Sequence, residues 1–586
     1  MSTGPNLSAL IWSVADLLRG DYRPHEYGRV ILPFTVLRRL DCVLEPTKAA
    51  VLAELAKRTK QGVNPEPFLL QAAGASFCNT SPLDLRTLMG DQDHIRENLL
   101  AYVGGFSEAV RDIFDCFDFH AQVERLAKAG LLYLVTERFA GVDLHPAVVP
   151  NAVMGDVFEE LIRKFAELSN ETAGEHFTPR EVIRLMVDLI FAEDTDALTK
   201  PGVVRSLYDP TAGTGGMLSV AEEHLKAMNP GARLVMYGQE LNAESYAICK
   251  ADMLIKGQDV RHIKLGNTLS ADGLPGEKFD YMLANPPFGV EWKKIEPVVR
   301  KEHESLGHLG RFGPGLPRVS DGSLLFLLHM LHKMRPVAEG GSRFAIVLNG
   351  SPLFTGGAGS GESEIRRHLL EHDLVEAIIG LPTDMFFNTG IATYVWVISN
   401  RKPEARSGTV QLIDASGRWR KMRKSLGSKR KELATEHIAE IVRLFGAFVE
   451  ETSAEGRPIS RILPNRSFGY RQITVERPLR DAEGQVVVGT KGKQKGKQKG
   501  KPQADPALRD TENVPLAEDV DAYVEREVRP HAPDAWIDRE KTRVGYEIPF
   551  SRHFFVFTPP RPLAEIDAEL AGVTGRIVAM IAGLSA

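Results

Sequence analysis

The chain has 586 residues, 43% hydrophobic and 25% charged, which is ample material for two or three domains with their own cores. Its 77 acidic residues outnumber 72 Lys and Arg, for a formal charge of −5. This excludes a lone polycation that wraps nucleic acid by bulk charge, so any phosphate neutralisation must come from local patches or from another subunit. Four cysteines, Cys42, Cys78, Cys116 and Cys249, show neither C-x-x-C spacing nor pairing signals, so neither a metal site nor a disulfide framework is expected. No signal peptide opens the chain and no apolar run reaches about 18 residues, which predicts a cytoplasmic protein without membrane spans.

Residues 1–145 read as a helical domain: Ile11-Trp12-Val14-Leu17-Leu18 and Val30-Ile31-Phe34-Leu37-Leu40 recur at helical spacing. No cluster there looks catalytic. From 146 to 415 strands alternate with helices, which predicts a doubly wound α/β domain with a mainly parallel sheet covered on both faces.

Within that region, Gly174-Glu175-His176-Phe177-Thr178-Pro179-Arg180-Glu181 precedes the amphipathic run Val182 to Ile190. Thr178 as N-cap, Pro179 at the first helical position and Glu181 three residues after the cap spell a capping box, hence a helix start with free N–H groups suited to a carboxylate. Next, the strand Val203 to Tyr208 runs into Asp209-Pro210-Thr211-Ala212-Gly213-Thr214-Gly215-Gly216 and a helix from Met217 to Met228. Glycines between strand and helix let backbone N–H groups approach a ligand. Their positions fit neither G-x-G-x-x-G nor a phosphate-gripping loop with Gly-Lys-Ser/Thr. The strand Arg233 to Gly238 ends beside Glu240, placed to accept ribose hydroxyls or simply to be solvated. A short strand, His262 to Leu265, leads to Asn267, a polar side chain within reach of an adenine ring. Together these sites suggest a nucleoside cofactor with no phosphate to cradle.

The run Phe279 to Ala284 then ends in Asn285-Pro286-Pro287-Phe288. Proline fixes its own φ and holds the residue before it extended, so the Asn285 amide, the Pro286 carbonyl and the Phe288 ring are presented at one point. That set suits a planar base with an exocyclic amine: two oxygens accept its N–H groups and a ring stacks on it. The alternative is a plain strand-terminating Pro-Pro turn. After it, Trp292 to Gly322 carries Lys293, Lys294, Arg311 and Arg318 among Gly and Pro and reads as a mobile loop over the substrate, tempered by Glu291, Glu296, Glu302 and Glu304. Helix Leu324 to Met334 and strands Arg343 to Leu348, Leu374 to Ile379 and Tyr394 to Ser399 complete the domain.

In this order the Glu175 to Arg180 motif, the Asp209 to Gly216 loop, Glu240 and Asn285-Pro286-Pro287-Phe288 resemble the amino-methyltransferases that use S-adenosylmethionine to methylate adenine in DNA. More narrowly, the chain is similar to the modification subunit of type I restriction-modification systems. The likeness extends from the segment around Trp12 to Leu44 through the core to Phe386-Phe387-Asn388-Thr389-Gly390-Ile391. It implies the S-adenosylmethionine-dependent methyltransferase fold. It also implies that Glu175, His176, Phe177, Thr178, Pro179 and Arg180, with Asp209, Thr211, Ala212, Gly213, Thr214, Gly215 and Gly216, contact the methionine part of the cofactor. Glu240 would hold the ribose and Asn267 the adenine; Asn285, Pro286, Pro287 and Phe288 would be catalytic. Implied partners are double-stranded DNA, a separate sequence-specificity subunit, a restriction/translocase subunit and a second copy of the chain. Other readings are a self-sufficient adenine DNA methyltransferase, transfer to an RNA base or a protein amide, and a non-catalytic scaffold.

Past the core, residues 416–487 open with Arg418, Arg420, Lys421, Arg423, Lys424, Lys429, Arg430 and Lys431 around Trp419, either a solvated basic helix or a surface that tracks a nucleic-acid backbone. Residues 488–515 contain the Gly-Lys-Gln-Lys repeat from Lys491 to Lys501, read as a flexible tether. In 516–586, Leu563, Ile566, Leu570, Val573, Ile577, Met580 and Leu584 alternate spacings of three and four. They form the seam of a helix that packs on its own core or, by the resemblance, on the specificity subunit.

Overall fold

The computed structural model describes residues 7–151, 153–154, 157–158, 161, 178–192, 194, 199–387, 389–488, 502–557 and 561–584. Its centre is a ten-stranded sheet. In chain order the strands are β1 Val204–Asp209, β2 Arg233–Glu240, β3 Ile263–Leu265, β4 Tyr281–Ala284, β5 Arg343–Asn349, β6 Val375–Gly380, β7 Thr393–Ser399 and β8 Thr409–Asp414. After the hairpin strands β9 Arg420–Leu426 and β10 Lys429–Glu432 come β11 Glu451–Thr452 and β12 Pro458–Pro464. The spatial order is 3-2-1-4-5-7-6-8-12-11. β3, β2, β1, β4 and β5 run parallel, and β7 enters antiparallel between β5 and β6. The doubly wound, mainly parallel arrangement is therefore present.

The sheet is central because its strands are apolar on both faces, the pattern of a sheet covered twice. Leu207, Tyr281, Leu283, Ala345 and Val347 face one core; Tyr208, Met282, Ala284, Phe344, Ile346 and Leu348 face the other. The first core takes the helices Arg180–Phe191, Gly216–Met228 and Ala243–Ile255, and continues without a break into the N-terminal helices. There the Gly28–Leu44 helix is almost wholly buried. Its Arg39 donates to Val149 O at 2.6 Å and Asn151 Oδ1 at 2.5 Å, tying the helical domain to the segment that enters the catalytic one. Lys250 meets Asp112 at 2.5 Å and Ser76 donates to Leu254 O at 3.1 Å, fastening the same domain onto the Ala243–Ile255 helix.

Four expectations change. The basic segment is no helix but the β9–β10 hairpin, turning at Gly427, whose φ of 59° is the conformation a two-residue hairpin loop requires. The sheet does not stop at 415, since β12 pairs antiparallel with β8 from Ser460↔Ile413 to Pro464↔Thr409. Trp292 to Gly322 is a packed insertion rather than a mobile loop: it holds the helix Glu296–Leu306 and buries Trp292 and Phe312, with Trp292 Nε1 donating to Arg318 O at 2.9 Å. The part of the expected linker that is described, 502–515, is tied into structure. β14 Asp510–Pro515 pairs with β13 Gly469–Glu476, which also pairs with β15 Trp536–Tyr546, and Val488 bridges Pro502. The chain thus returns to where it left instead of joining two bodies. The repeat from Lys491 to Lys501 lies outside the described residues.

The C-terminal helix, Leu563–Leu584, leaves its seam open to solvent: Leu563, Leu570, Val573, Ile577 and Met580 are between 42% and 74% exposed. It does not pack on the chain's own core. No helix among the described residues is long and apolar enough to cross a membrane.

Under the sheet, Arg343 of β5 grips Glu376 of β6 with Nε–Oε2 at 2.9 Å and Nη2–Oε1 at 3.1 Å, and Arg406 Nε stands 3.5 Å from the same carboxylate. All three are buried. Removing the anion takes the carboxylate counter-charge from two buried guanidiniums, so Glu376→Leu is expected to cost about 3–5 kcal/mol. The check is a lowered thermal unfolding midpoint, and a midpoint equal to wild type would show that the pair contributes nothing.

Candidate active site

Sheet topology decides where the motifs meet. The chain goes outward from β1 through β2 to β3, then jumps back to lay β4 on the other side of β1, with Leu207↔Tyr281 and Tyr208↔Met282 as neighbours. The carboxyl ends of β1 and β4 flank this switch point, where open α/β sheets leave a crevice. The Asp209–Gly216 loop leaves one end and Asn285–Phe288 the other.

The glycine loop is built by its own bonds. Asp209, buried, accepts from Thr211 N at 2.9 Å and Thr211 Oγ1 at 3.2 Å, and Ala212 N donates to Gln239 O at 3.0 Å. Gly213 and Gly215 hold φ of 53° and 83°, and a Cβ on Gly215 would lie 2.7 Å from Cys249 Sγ, so only glycine fits between loop and helix. Gly215 is the cap of the Gly216–Met228 helix; Thr214 is half-buried. From β2, Glu240 accepts from Gly213 N at 2.8 Å with Oε2 and from Asn242 N at 2.7 Å with Oε1. It therefore ties the two loops together while each oxygen keeps a second lone pair.

A cavity of about 170 Å³ opens here, lined by Thr211, Glu240, Asn267, Asn285 and Pro287. Leu241, Val290 and Phe326 line it too, and sequence reasoning missed them. Leu241, 65% exposed directly after a strand-end acid, was the one signal available. Asn267 Oδ1 is occupied by Leu269 N at 2.9 Å and Ser270 N at 3.1 Å, which turns its Nδ2 to other use. Arg311, expected as a cation of a mobile loop over the substrate, is instead locked in the insertion behind the cavity: it donates to Thr268 O at 2.8 Å and Leu269 O at 2.9 Å and is fixed by Glu302 at 2.6 Å. It sets the loop that carries Asn267.

Asn285 Oδ1 is buried and has no hydrogen-bond partner among the described residues. Leaving such an acceptor unmatched costs about 1–3 kcal/mol, and the residue that carries it lines the cavity. Phe288 meets Phe386 edge-on at 6.4 Å, which brings the Phe386-Phe387 segment to the same mouth. Asn388 is outside the described residues, as are Glu175, His176 and Phe177.

Thr178 does not cap a helix. The helix begins at Arg180 with Pro179 as its N-cap, at φ −55° and ψ 137°, and no side chain bonds the turn. Pro179 is extended instead of helical, so Thr178 lies one residue too early, and the Glu181 carboxylate pairs with Lys429 of the hairpin.

The family model described as N-6 DNA Methylase matches residues 150–458, more than half of the chain. The chain belongs to this family. Residues 7–139 match the HsdM N-terminal domain, which makes it a modification subunit of the type I restriction-modification kind and an adenine-specific DNA methyltransferase. It is 25% identical over 463 residues to the Methanocaldococcus jannaschii type I restriction enzyme MjaIX methylase subunit, covering 76% of this chain and 77% of that protein. It is 30% identical over 300 residues to the MjaVII methylase subunit of the same organism, 50% of this chain and 47% of that protein. The solved methyltransferase subunit of a Streptococcus thermophilus type I restriction-modification system shares the fold, with a TM-score of 0.59 at 23% identity over 78% of this chain and 95% of that one.

Burial, with the Glu240 carboxylate nearby, pushes the Asp209 carboxyl up to about 7 against the opposing pull of the Thr211 bonds. Its unfolded value lies near 4, so the folded state binds the extra proton in between. The stability this group contributes is full below pH 4 and is lost as pH rises through 7. In Asp209→Asn the acceptor for Thr211 remains and the titration is gone. Wild type is expected to lose thermal stability relative to Asp209→Asn between pH 5 and 8; parallel melting curves across that range would refute the assignment.

Proposed function

We propose that this modification subunit transfers a methyl group from S-adenosylmethionine to the N6 amine of an adenine turned out of duplex DNA. The observation that carries the reading is the unmatched, buried Asn285 Oδ1 in the wall of the cavity that also holds Glu240 and Asn267. No Lys or Arg lines that cavity among the described residues, which suits a cationic nucleoside without phosphates. Glu240, with its spare lone pairs, would hold the ribose hydroxyls, and Asn267, whose Oδ1 is already occupied, would offer its Nδ2 to the adenine. Thr211, Ala212, Gly213, Thr214, Gly215 and Gly216, with Asp209 behind them, would hold the methionine end, and the family resemblance adds the 175–180 motif to that contact. When bound, the cofactor supplies an electrophilic methyl on a sulfonium.

The chain's part in the chemistry is to make a poor nucleophile better. The adenine amine lone pair is delocalised into the ring. When Asn285 Oδ1 and the Pro286 carbonyl each accept one N–H, the nitrogen is drawn toward tetrahedral geometry and the lone pair is released. Both acceptors bind more tightly as positive charge grows on nitrogen, so they favour the transition state over the ground state. No strong general base is required. Phe288, steadied by Phe386, gives the extruded base a stacking face that offsets a few kcal/mol of lost stacking and pairing. Pro287 locks the register of the ring and carbonyl.

Duplex DNA is the substrate, and a separate specificity subunit reads its sequence. The exposed seam of the Leu563–Leu584 helix receives that subunit's helices. A restriction/translocase subunit and a second copy of the chain complete the assembly. The proteins it is similar to are named methylase subunits, which supports a divided enzyme.

Asn285→Ala is expected to lower methyl transfer at least a hundredfold while leaving cofactor affinity within about threefold of wild type. Tritiated-methyl transfer to DNA, with the chain co-expressed beside a sequence-reading subunit, and calorimetric cofactor titration measure the two. Near wild-type transfer by the variant would remove Asn285 from the mechanism.

A further inference from the structure

We infer that the β9–β10 hairpin is the chain's own clamp on DNA phosphates beside the extruded base, an inference that rests on the DNA methyltransferase reading above. The hairpin stands at the mouth of the site through its backbone. Ser428 N donates to Phe387 O at 2.8 Å, and Arg430 N and Lys431 N donate to Asp384 O at 2.9 and 3.2 Å. Between these two carbonyls lies Phe386, the ring that meets Phe288. Asp384 holds φ of 60°, a left-handed turn that aims its carbonyl at both hairpin N–H groups. On the other flank Lys429 is buried against Glu181 at the start of the Arg180–Phe191 helix. A two-stranded ribbon is marginal alone; here two neighbouring elements of the active site hold it in place.

Its charge is arranged for a polyanion. In a chain of net charge −5, residues 418–432 carry eight Lys and Arg and one acid, Glu432. Some are neutralised: Arg418 by Glu440 at 2.9 Å and Arg420 by Glu432 at 2.7 Å. Lys421, Arg423 and Arg430 are exposed and make no ion pair among the described residues. Lys421 sits directly across the ladder from Lys431, and like charges in that position destabilise a hairpin. Lys431 also lies 4.4 Å over the ring of Trp419, which is 39% exposed. Lys431 reaches Asp384 at 3.9 Å and Thr383 Oγ1 at 3.1 Å, so the exposed cations without an ion pair are Lys421, Arg423 and Arg430; three of them on one ribbon, with an aromatic edge beside them, match a phosphate backbone better than a protein acid, which would need only one. Phosphate contacts of this kind position a duplex without reading its sequence, which is what a subunit that leaves recognition to a partner requires.

The test uses the full chain co-purified with its sequence-reading subunit. KM for a duplex is measured from 50 to 300 mM salt for wild type, for Lys421→Gln/Arg423→Gln/Arg430→Gln, and for the charge-keeping set Lys421→Arg/Arg423→Lys/Arg430→Lys. The neutral set is expected to raise KM for DNA at least tenfold and to lessen the log–log salt slope by about 2.7, three contacts at roughly 0.9 each. The charge-keeping set is expected to stay within threefold of wild type, and calorimetric cofactor affinity within twofold in both. A KM and slope unchanged in the neutral set would overturn the clamp and leave the function standing. A wild-type complex that transfers no methyl to DNA would instead overturn the reading beneath it.

Discussion

Everything at the active site follows from one pairing, β4 laid parallel against β1 after an excursion through β2 and β3. That contact makes two loops neighbours although residues 217–284 separate them. One loop is bent by glycines so that its backbone can face a ligand; the other is stiffened by prolines so that its amide and ring cannot drift. The sheet supplies the rigidity. β4 is four residues long and wholly buried, so Asn285 is anchored by core packing on one side and free to act only on the other.

Electrostatics at the crevice are balanced by division of labour between two acids. Asp209 is buried and pushed up to about 7, and its bonds go back into its own loop. Glu240 sits at the surface of the cavity and spends one lone pair of each oxygen on a backbone N–H. Among the described residues the cavity lining offers the Glu240 carboxylate and no Lys or Arg.

What could be read from sequence was whatever is punctuated locally. Asp209 to Gly216 and Asn285 to Phe288 are marked by glycine and proline within a few residues, and the strands before them are apolar runs, so their kind and place were legible. Thr178 misled because two local rules agreed, threonine as cap and proline as first helical residue, and the chain follows neither. Pro179 settles it by being extended itself, and Glu181 answers to Lys429, 248 residues away. The β9–β10 ribbon was illegible because nearly every residue in it is polar, so no period of two emerges. β14 was hidden likewise: of Asp510 to Pro515 only Val514 is buried. In the insertion, glycine and proline suggested a loose loop, whereas Trp292, Phe312 and the Arg311–Glu302 pair bind it to the core.

The molecule's unfinished surfaces fall into two chemically distinct kinds, and this separation is itself informative. At the mouth of the crevice the exposed groups are cationic and polar, and they are held rigidly by backbone bonds to active-site loops. At the C-terminus they are apolar, on a 22-residue helix whose Gly572 and Gly575 have nothing within 4 Å of where a side chain would begin. Glycines in an exposed helix weaken it by about 1 kcal/mol each relative to alanine, and its bare apolar seam carries an aggregation risk. A chain that keeps both features is not optimised to stand alone. The two surfaces therefore differ in physical principle within one subunit: a cationic ribbon held rigidly by backbone bonds beside the candidate site, and an apolar helix seam whose order gains nothing from packing on the rest of the chain.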